Sequence, residues 1–411
     1  MIKLLHLADL HIGMENYGRV EAATGLHSRL TDYLDRFDEA IDLGIAEDVD
    51  AVLIAGDIYK NRTPNPTHQR EFARRLGRIQ RAGLPVIVIT GNHDIAPAIG
   101  RAHSIEIFDT LKIEGVTVID RAHRTIVKTK RGEFQLIALP WVTRHTLLTR
   151  EELRLAGLVE IEAMIQQRVE RFLEAAAKEL DPNLPAVLMA HGSVDGATLG
   201  SEQQILLGRD QVWPRSLLGQ PGIDYVAMGH IHKHQVVGNH PPIVYPGSIE
   251  RIDFGEEREP KGCVIVELAR EATTWRFHPL KARAFVTVDV DVRDAPEPQA
   301  KVLAAIDRQT LTDTVVRVRI EANPAELPLI NVEEVRRHVG EAGVHHVAAV
   351  AVNVERRARG RLGDAGSELL DGITPRRALE LYLSSKQTPA ARMAALLAAA
   401  DEIMEDGAGA G

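Results

Sequence analysis

Apolar residues come in short runs along this chain, and most of the runs stop abruptly at polar residues or glycine. Ile2-Lys3-Leu4-Leu5-His6-Leu7-Ala8, Ala51-Val52-Leu53-Ile54-Ala55, Val86-Ile87-Val88-Ile89, Phe134-Gln135-Leu136-Ile137-Ala138-Leu139, residues 186–190 and Tyr225-Val226-Ala227-Met228 are nearly continuous in apolar character. That length and pattern predict strands, with Val86-Ile87-Val88-Ile89 fully buried. Between them the period changes. Leu30, Leu34, Phe37, Ile41 and Ile45 predict a helix over 30–48, a second helix covers 66–82, and Ile161, Ile165, Val169 and Phe172 stripe a long third one. Strands at 243–245, 263–268 and 274–278 follow one another closely. Alternating strands and helices predict an α/β layered fold. The close spacing of the later strands predicts mixed sheets, or a two-sheet sandwich flanked by helices, in place of one parallel sheet.

Near residue 281 the pattern shifts. Phe285, Val286, Val288, Val290 and Val292 lead into an alternating strand, followed by a helix at 297–309, a strand at 314–321, a helix at 331–341 and a strand at 346–354. The expected organisation is a main domain over 1–280, a small α+β capping domain over 281–355, a polar linker over 356–372 and terminal helices over 373–406. The glycine-rich 407–411 is expected to be disordered. Thr374-Pro375 and Thr388-Pro389 each pair a good N-cap with proline at the first helical position. Met393, Leu396, Leu397, Ala400 and Ile403 line one face of the last helix. There is no internal repeat.

Composition narrows the function classes. The 411 residues suffice for two or three domains, and a net charge of −9 gives the whole chain no nucleic-acid footprint, although a basic face or bound cations can offset it. With 4% aromatic residues, a single-strand binder built on stacking platforms is not expected. Cys263 is the one cysteine, which excludes a disulfide framework and a zinc–cysteine site. The first apolar run is too short for a signal peptide, and no run approaches membrane-spanning length, so a soluble cytoplasmic protein is expected. No Gly-x-x-x-x-Gly-Lys-[Ser/Thr] loop is present, and any ATP dependence must come from a partner.

The chemistry sits where the strands end. Asp9 and His11 follow the first run, Asp57 the second, Gly91-Asn92-His93-Asp94 the third, His191 the run at 186–190, and His230 and His232 the run at 225–228. Ligands of α/β sheets gather beyond the carboxyl ends of strands. Asp, His and Asn include no soft ligand and suit a manganese, iron or zinc hydrolytic centre. Seven such side chains are too many for one tetrahedral ion and suit two ions sharing a carboxylate. His6, inside its strand, reads as a hydrogen-bonded core histidine, and His27, His68, His103, His145 and His240 read as structural. Arg70, Arg74, Arg78 and Arg81 share one helix face, either solvated or contacting phosphate.

As an ordered set, Asp9-x-His11, Gly56-Asp57, Gly91-Asn92-His93-Asp94, His191 and Gly229-His230-x-His232 resemble the signature of calcineurin-like metallophosphoesterases. His-Leu-Ala-Asp-Leu-His-Ile-Gly at 6–13, the stretch 245–256 and the tail of small domain, linker and helices resemble the SbcD family more narrowly, across nearly the whole chain. That family supplies the nuclease subunit of the bacterial SbcCD double-strand-break repair complex. The resemblance implies one metal at Asp9, His11, Asp57 and His232, and another at Asp57, Asn92, His191 and His230. It implies His93 as the catalytic histidine, oriented by Asp94. It further implies two divalent ions, most often Mn2+, an SbcC ATPase partner with a coiled-coil arm, duplex and hairpin DNA as substrates, and a homodimer within a two-plus-two complex. Ile58-Tyr59-Lys60 departs from the Leu-Phe-Asp that many relatives have after the ligand aspartate, which puts the local DNA-facing loop in doubt. Two other readings stay open: a small-molecule or nucleotide phosphoesterase of the same superfamily, and a non-catalytic scaffold.

Overall fold

The computed structural model describes residues 1–98, 100–155, 157–200, 212–354, 375–386 and 388–408. The expected linker at 356–372 lies outside them.

Strands β1 (Ile2–Leu7), β2 (Ala51–Ile54), β3 (Val86–Ile89) and β4 (Val116–Ile119) open the chain. They are followed by β5 (His123–Thr129), β6 (Gly132–Leu139), β7 (Ala186–His191), β8 (Ser193–Val194) and β9 (Val212–Trp213). Then come β10 (Tyr225–Gly229), β11 (Gln235–Asn239), β12 (Pro242–Tyr245), β13 (Gly262–Leu268) and β14 (Thr274–Pro279). They form two six-stranded sheets, in the orders β14-β13-β1-β2-β3-β4 and β11-β12-β10-β7-β6-β5, with β8 and β9 as a separate pair. Both sheets are mixed. β1, β2, β3 and β4 run parallel while β13 and β14 are antiparallel to their neighbours. In the second sheet β6, β7, β10 and β12 are parallel and β5 and β11 antiparallel.

The continuous apolar runs are explained by burial on both sides. Leu4, Leu53, Ile87 and Val264 of the first sheet meet Leu136, Met189, Tyr225 and Ala227 of the second in one core. The alternate residues Leu5, Leu7, Val52 and Val88 face outward onto the helices Ser28–Ala46 and Pro66–Arg81 through Phe37, Ile41, Phe72 and Leu76. Leu188, Ala190, Val226 and Met228 likewise face the helix Leu158–Lys178 through Ile165, Val169 and Leu173. Two packed sheets with helices on each outer face are the sandwich expected from the sequence. His6 ties the sheets together: its Nε2 donates to the Met228 carbonyl at 3.1 Å and its Nδ1 accepts from the Tyr225 hydroxyl at 3.0 Å. Burial holds its pKa down to about 3.

Strands β15 (Phe285–Asp291), β16 (Val315–Ala322) and β17 (His346–Val354) form a three-stranded sheet in that order, alternating along the chain with helices Pro298–Asp307 and Val332–Glu341. Contacts divide the chain into one unit of residues 1–287, 310–317 and 337–349, and another of 288–309, 318–336 and 350–411. In the second unit, helices Pro375–Ser385 and Ala390–Ala408 pair, with Arg376 bonded to Asp401 at 2.8 Å. Leu383 is buried, while Tyr382 (42%) and Leu396 (41%) stay exposed. The last helix runs through Gly407 and Ala408, which the sequence pattern assigns to a disordered tail; its alanine-rich sequence favours continuation.

Candidate metal centre

Parallel pairing brings the carboxyl ends of β1, β2 and β3 together, and those of β7 and β10. The pairing carries on past the strands: the Asp9 amide donates to the Gly56 carbonyl and the His11 amide to the Asp57 carbonyl, both at 3.1 Å. The backbone then turns sharply. Asp9, His11, Asp57 and His230 all have positive φ, of 53°, 41°, 53° and 102°, a region that non-glycine residues seldom occupy. Such strain persists only where surrounding structure enforces it, and here it aims each side chain into one buried space. Gly56 and Gly91 are required by that crowding. A Cβ on Gly56 would strike the His191 ring, and one on Gly91 would strike the Asp57 carboxylate.

All seven donors expected from the sequence are brought together. Asp9, His11 and His232 form one grouping with donor atoms within 4.8 Å of one another; Asp57, His191 and His230 form a second, and all six residues are buried. The Asn92 Oδ1 lies 3.0 Å from both His191 Nε2 and His230 Nδ1, which adds it to the second group. Asp57 lies between them, its Oδ2 3.9 Å from His11 Nε2 and 3.5 Å from His191 Nε2.

The hydrogen bonds behind these rings fix what faces inward. The His191 Nδ1 donates to the Ala55 carbonyl at 2.6 Å, and the His232 Nδ1 donates to Glu256 Oε1 at 2.8 Å. Both rings therefore turn Nε2 toward the cluster. There His232 Nε2 meets His11 Nε2 at 3.0 Å, and His191 Nε2 meets the Asn92 oxygen. Lone pairs facing one another in a buried space need a cation or a proton between them. The His11 Nδ1 is buried with no hydrogen-bond partner. The donor set fits divalent cations. Without them protons do the same work: burial alone would lower the His191 pKa, but the Asp57 carboxylate outweighs it and raises it to about 9. Burial would raise Asp57, yet His191 holds it well below the usual carboxylate range.

His93 is half-buried beside the cluster, its ring 5.1 Å from that of His11, and its donor atom groups with those of His11 and Asp57. Its Nδ1 donates to the Lys60 carbonyl at 2.5 Å. The expectation that Asp94 orients this ring is corrected here. The Asp94 carboxylate turns back and accepts from the amides of Ile58, Tyr59 and Gly91 at 3.0–3.4 Å, bracing the two loops that carry Asp57 and Asn92. Burial, with the neighbouring Asp57 charge, raises its pKa to about 6. The divergent Ile58-Tyr59-Lys60 loop thus supplies backbone groups to Asp94 and His93.

The calcineurin-like phosphoesterase profile matches residues 2–234, more than half of the chain. The chain belongs to the calcineurin-like phosphoesterases. Within that family it is 28% identical over 328 residues to the SbcD component of the SbcCD nuclease from Rhodobacter capsulatus, covering 76% of this chain and 77% of that one. It is 24% identical to the Escherichia coli K12 protein of the same name, covering 62% of each. It is 22% identical to the DNA double-strand break repair protein Mre11 of Archaeoglobus fulgidus, covering 86% of this chain and 74% of that one. These relatives bear out the resemblance to the SbcD family.

Around the donor cluster of this calcineurin-like phosphoesterase pack further side chains that the sequence reading did not assign to it. Glu256 and Lys261 form a buried pair, Oε2 to Nζ 2.8 Å, behind His232, and the Lys261 Nζ also donates to the His232 carbonyl at 3.0 Å. Trp141 packs its ring 5.1 Å from that of His230. The signal for Glu256 was its place in the stretch 245–256; Lys261 left none. Of the histidines read as structural, His27 caps the helix Ser28–Ala46 and His68 bonds Glu15 at 3.1 Å. Of the arginine face, Arg70 and Arg74 engage Glu71, Arg78 engages Asp38, and Arg81 bonds the Gly77 carbonyl, which favours the solvated reading. No helix among the described residues is long and apolar enough to cross a membrane.

Proposed function

We propose that this chain is a metal-dependent DNA nuclease, the SbcD-type component of an SbcCD-like complex. In this reading it acts as a 3′–5′ double-strand exonuclease and as an endonuclease on single strands and hairpins, in repair, recombination and replication. The observation that supports it most is the pair of buried donor clusters joined by Asp57. One cation would be held by Asp9, His11, Asp57 and His232, the other by Asp57, Asn92, His191 and His230, with manganese as the preferred ion. Bound there, the two cations would supply an activated water and neutralise charge on the scissile phosphodiester. The rest of the chemistry falls to side chains. Glu256 and Ala55 hold the His232 and His191 rings with Nε2 inward. Asp94 braces the loops of Asp57 and Asn92. His93, with Nδ1 tied to the Lys60 carbonyl, has Nε2 left to give a proton to the departing 3′ oxygen.

The relatives named as DNA nucleases and repair proteins support the substrate class. Exposed Tyr382 and Leu396 on the terminal helix pair support a docking role toward a coiled-coil ATPase. A homodimer in the cytoplasm, nucleoid-associated when on DNA, with residues 281–355 on the DNA side, completes the reading. The test is cleavage of hairpin and blunt duplex DNA by the purified full chain with and without manganese, repeated after adding the ATPase. Hydrolysis of a nitrophenyl phosphate with no DNA cleavage under any of these conditions would favour the small-molecule phosphoesterase. A chain that binds no metal and cleaves neither would favour the scaffold.

A further inference from the structure

We propose that the cavity beside Trp141 is a subsite for one unpaired nucleotide of the strand being cut. This rests on the nuclease reading above and names a substrate contact for it. The cavity measures about 720 Å3, within the roughly 300–1,000 Å3 of small-molecule sites, and its wall includes Thr90, Trp141, Arg62, Arg101 and Arg121.

Its position links it to the metal centre. Thr90 directly precedes Gly91-Asn92, and its carbonyl accepts from the Trp141 amide at 2.9 Å. The half-buried indole stands 5.1 Å from the His230 ring and 6.0 Å from the His191 ring, so one aromatic ring separates the cavity from the second donor cluster. On the other side, Arg62 follows two residues after Lys60, whose carbonyl holds His93. A group in the cavity lies next to whatever phosphate the cluster engages.

Its chemistry selects the occupant. Arg62, Arg101 and Arg121 are exposed, and among the described residues no carboxylate pairs with them. The two acids of the lining, Glu106 and Asp120, both face His103, at 4.0 and 3.8 Å. Three free guanidiniums around an indole suit a nucleobase flanked by phosphates. In an intact duplex both faces of a base are stacked on neighbours, so only a frayed, overhanging or loop nucleotide can lie against Trp141. Stacking on an indole face tolerates any base, so the subsite reads strandedness and not sequence.

The test uses the full chain with manganese, an Arg101→Ala/Arg121→Ala variant, and Trp141→Phe beside Trp141→Ala. Two substrates are compared: a duplex with an unpaired 3′ end, and bis(p-nitrophenyl) phosphate. Removing a stacking or phosphate contact should raise KM for the DNA by roughly 10- to 100-fold, with a much smaller change for the nitrophenyl diester. Trp141→Phe should keep most of what Trp141→Ala loses. In the parent, deoxythymidine 5′-monophosphate should inhibit diester hydrolysis more strongly than inorganic phosphate, and the arginine variant should erase that difference. Equal losses on both substrates, or equal inhibition by the two anions in the parent, would overturn the subsite. A parent that hydrolyses the diester but no DNA defeats the nuclease reading instead, and the inhibition comparison then decides the subsite alone.

Discussion

The His232 imidazole and the Glu256 carboxylate meet at 2.8 Å, Nδ1 to Oε1, with Lys261 closing the other side of the carboxylate at 2.8 Å. Burial alone would raise the Glu256 pKa, but Lys261 and His232 hold it well below the ordinary range. A charged carboxylate behind a ligating imidazole fixes its tautomer and strengthens its lone pair. Glu256→Gln should therefore weaken metal binding at the His11–His232 side by roughly 10–100-fold, read by chelator competition. Lys261→Met leaves a buried carboxylate without its countercharge and should cost about 3–5 kcal/mol in metal-free unfolding. The double variant Glu256→Gln/Lys261→Met should recover part of that loss. A double variant no more stable than Lys261→Met would show that the charge pair is not the cause.

The Asp57 carboxylate lies within 4 Å of a histidine from each cluster, 3.9 Å from His11 Nε2 and 3.5 Å from His191 Nε2. Asp57→Asn halves its ability to serve two cations and removes the charge that balances His191. We expect the variant to bind at least one ion fewer per chain and to lose nearly all hydrolysis. Elemental analysis finding two ions per variant chain would remove Asp57 from the shared position.

The fold and the donor set were legible in the sequence for the same reason. Strands such as Val86–Ile89 are buried on both faces and so read as unbroken apolar runs. The functional side chains stand directly after them. Edge strands were missed because one side meets solvent: Val116–Ile119 and His123–Thr129 are partly exposed and carry no continuous run. The Asp94 role was misread because adjacency in sequence suggested adjacency of side chains. In the turn after β3, Asp94 folds back onto the amides of Ile58 and Gly91 while His93 points to Lys60. Lys261 was invisible because the His232 carbonyl it bonds lies 29 residues away on another strand end.

His6 predicts an acid-sensitive core. Its folded pKa is depressed to about 3 by burial, below an ordinary value of 6.5. The unfolded chain therefore takes up a proton below 6.5 that the folded one refuses. The neutral ring's contribution is complete above pH 6.5 and is lost as pH falls from 6.5 toward 3, at about 1.4 kcal/mol per pH unit. His6→Gln should be less stable than the parent at pH 7.5, having lost well-placed bonds to Tyr225 and Met228, yet flatter between pH 6.5 and 5. Thermal unfolding in chelator at several pH values measures both effects. A variant with the parent's full acid slope would assign that slope to other groups.

His93 separates the chemical step from metal assembly. Its Nδ1 is tied to the Lys60 carbonyl, so Nε2 is the one ring atom left for chemistry. That atom lies near enough to His11 and Asp57 to serve either as a third ligand or as a proton donor. Its backbone amide also donates to Asp57 Oδ1 at 2.8 Å, a contact that survives loss of the ring. If the ring acts on the leaving oxygen, His93→Ala should keep both metals and bind DNA nearly as the parent does. Its cleavage should fall by about 10²–10⁴-fold, the usual worth of general acid assistance. A variant that drops one ion per chain in elemental analysis would make His93 a ligand. A variant that cleaves within a fewfold of the parent, with both ions bound, would leave the departing oxygen to the cations alone.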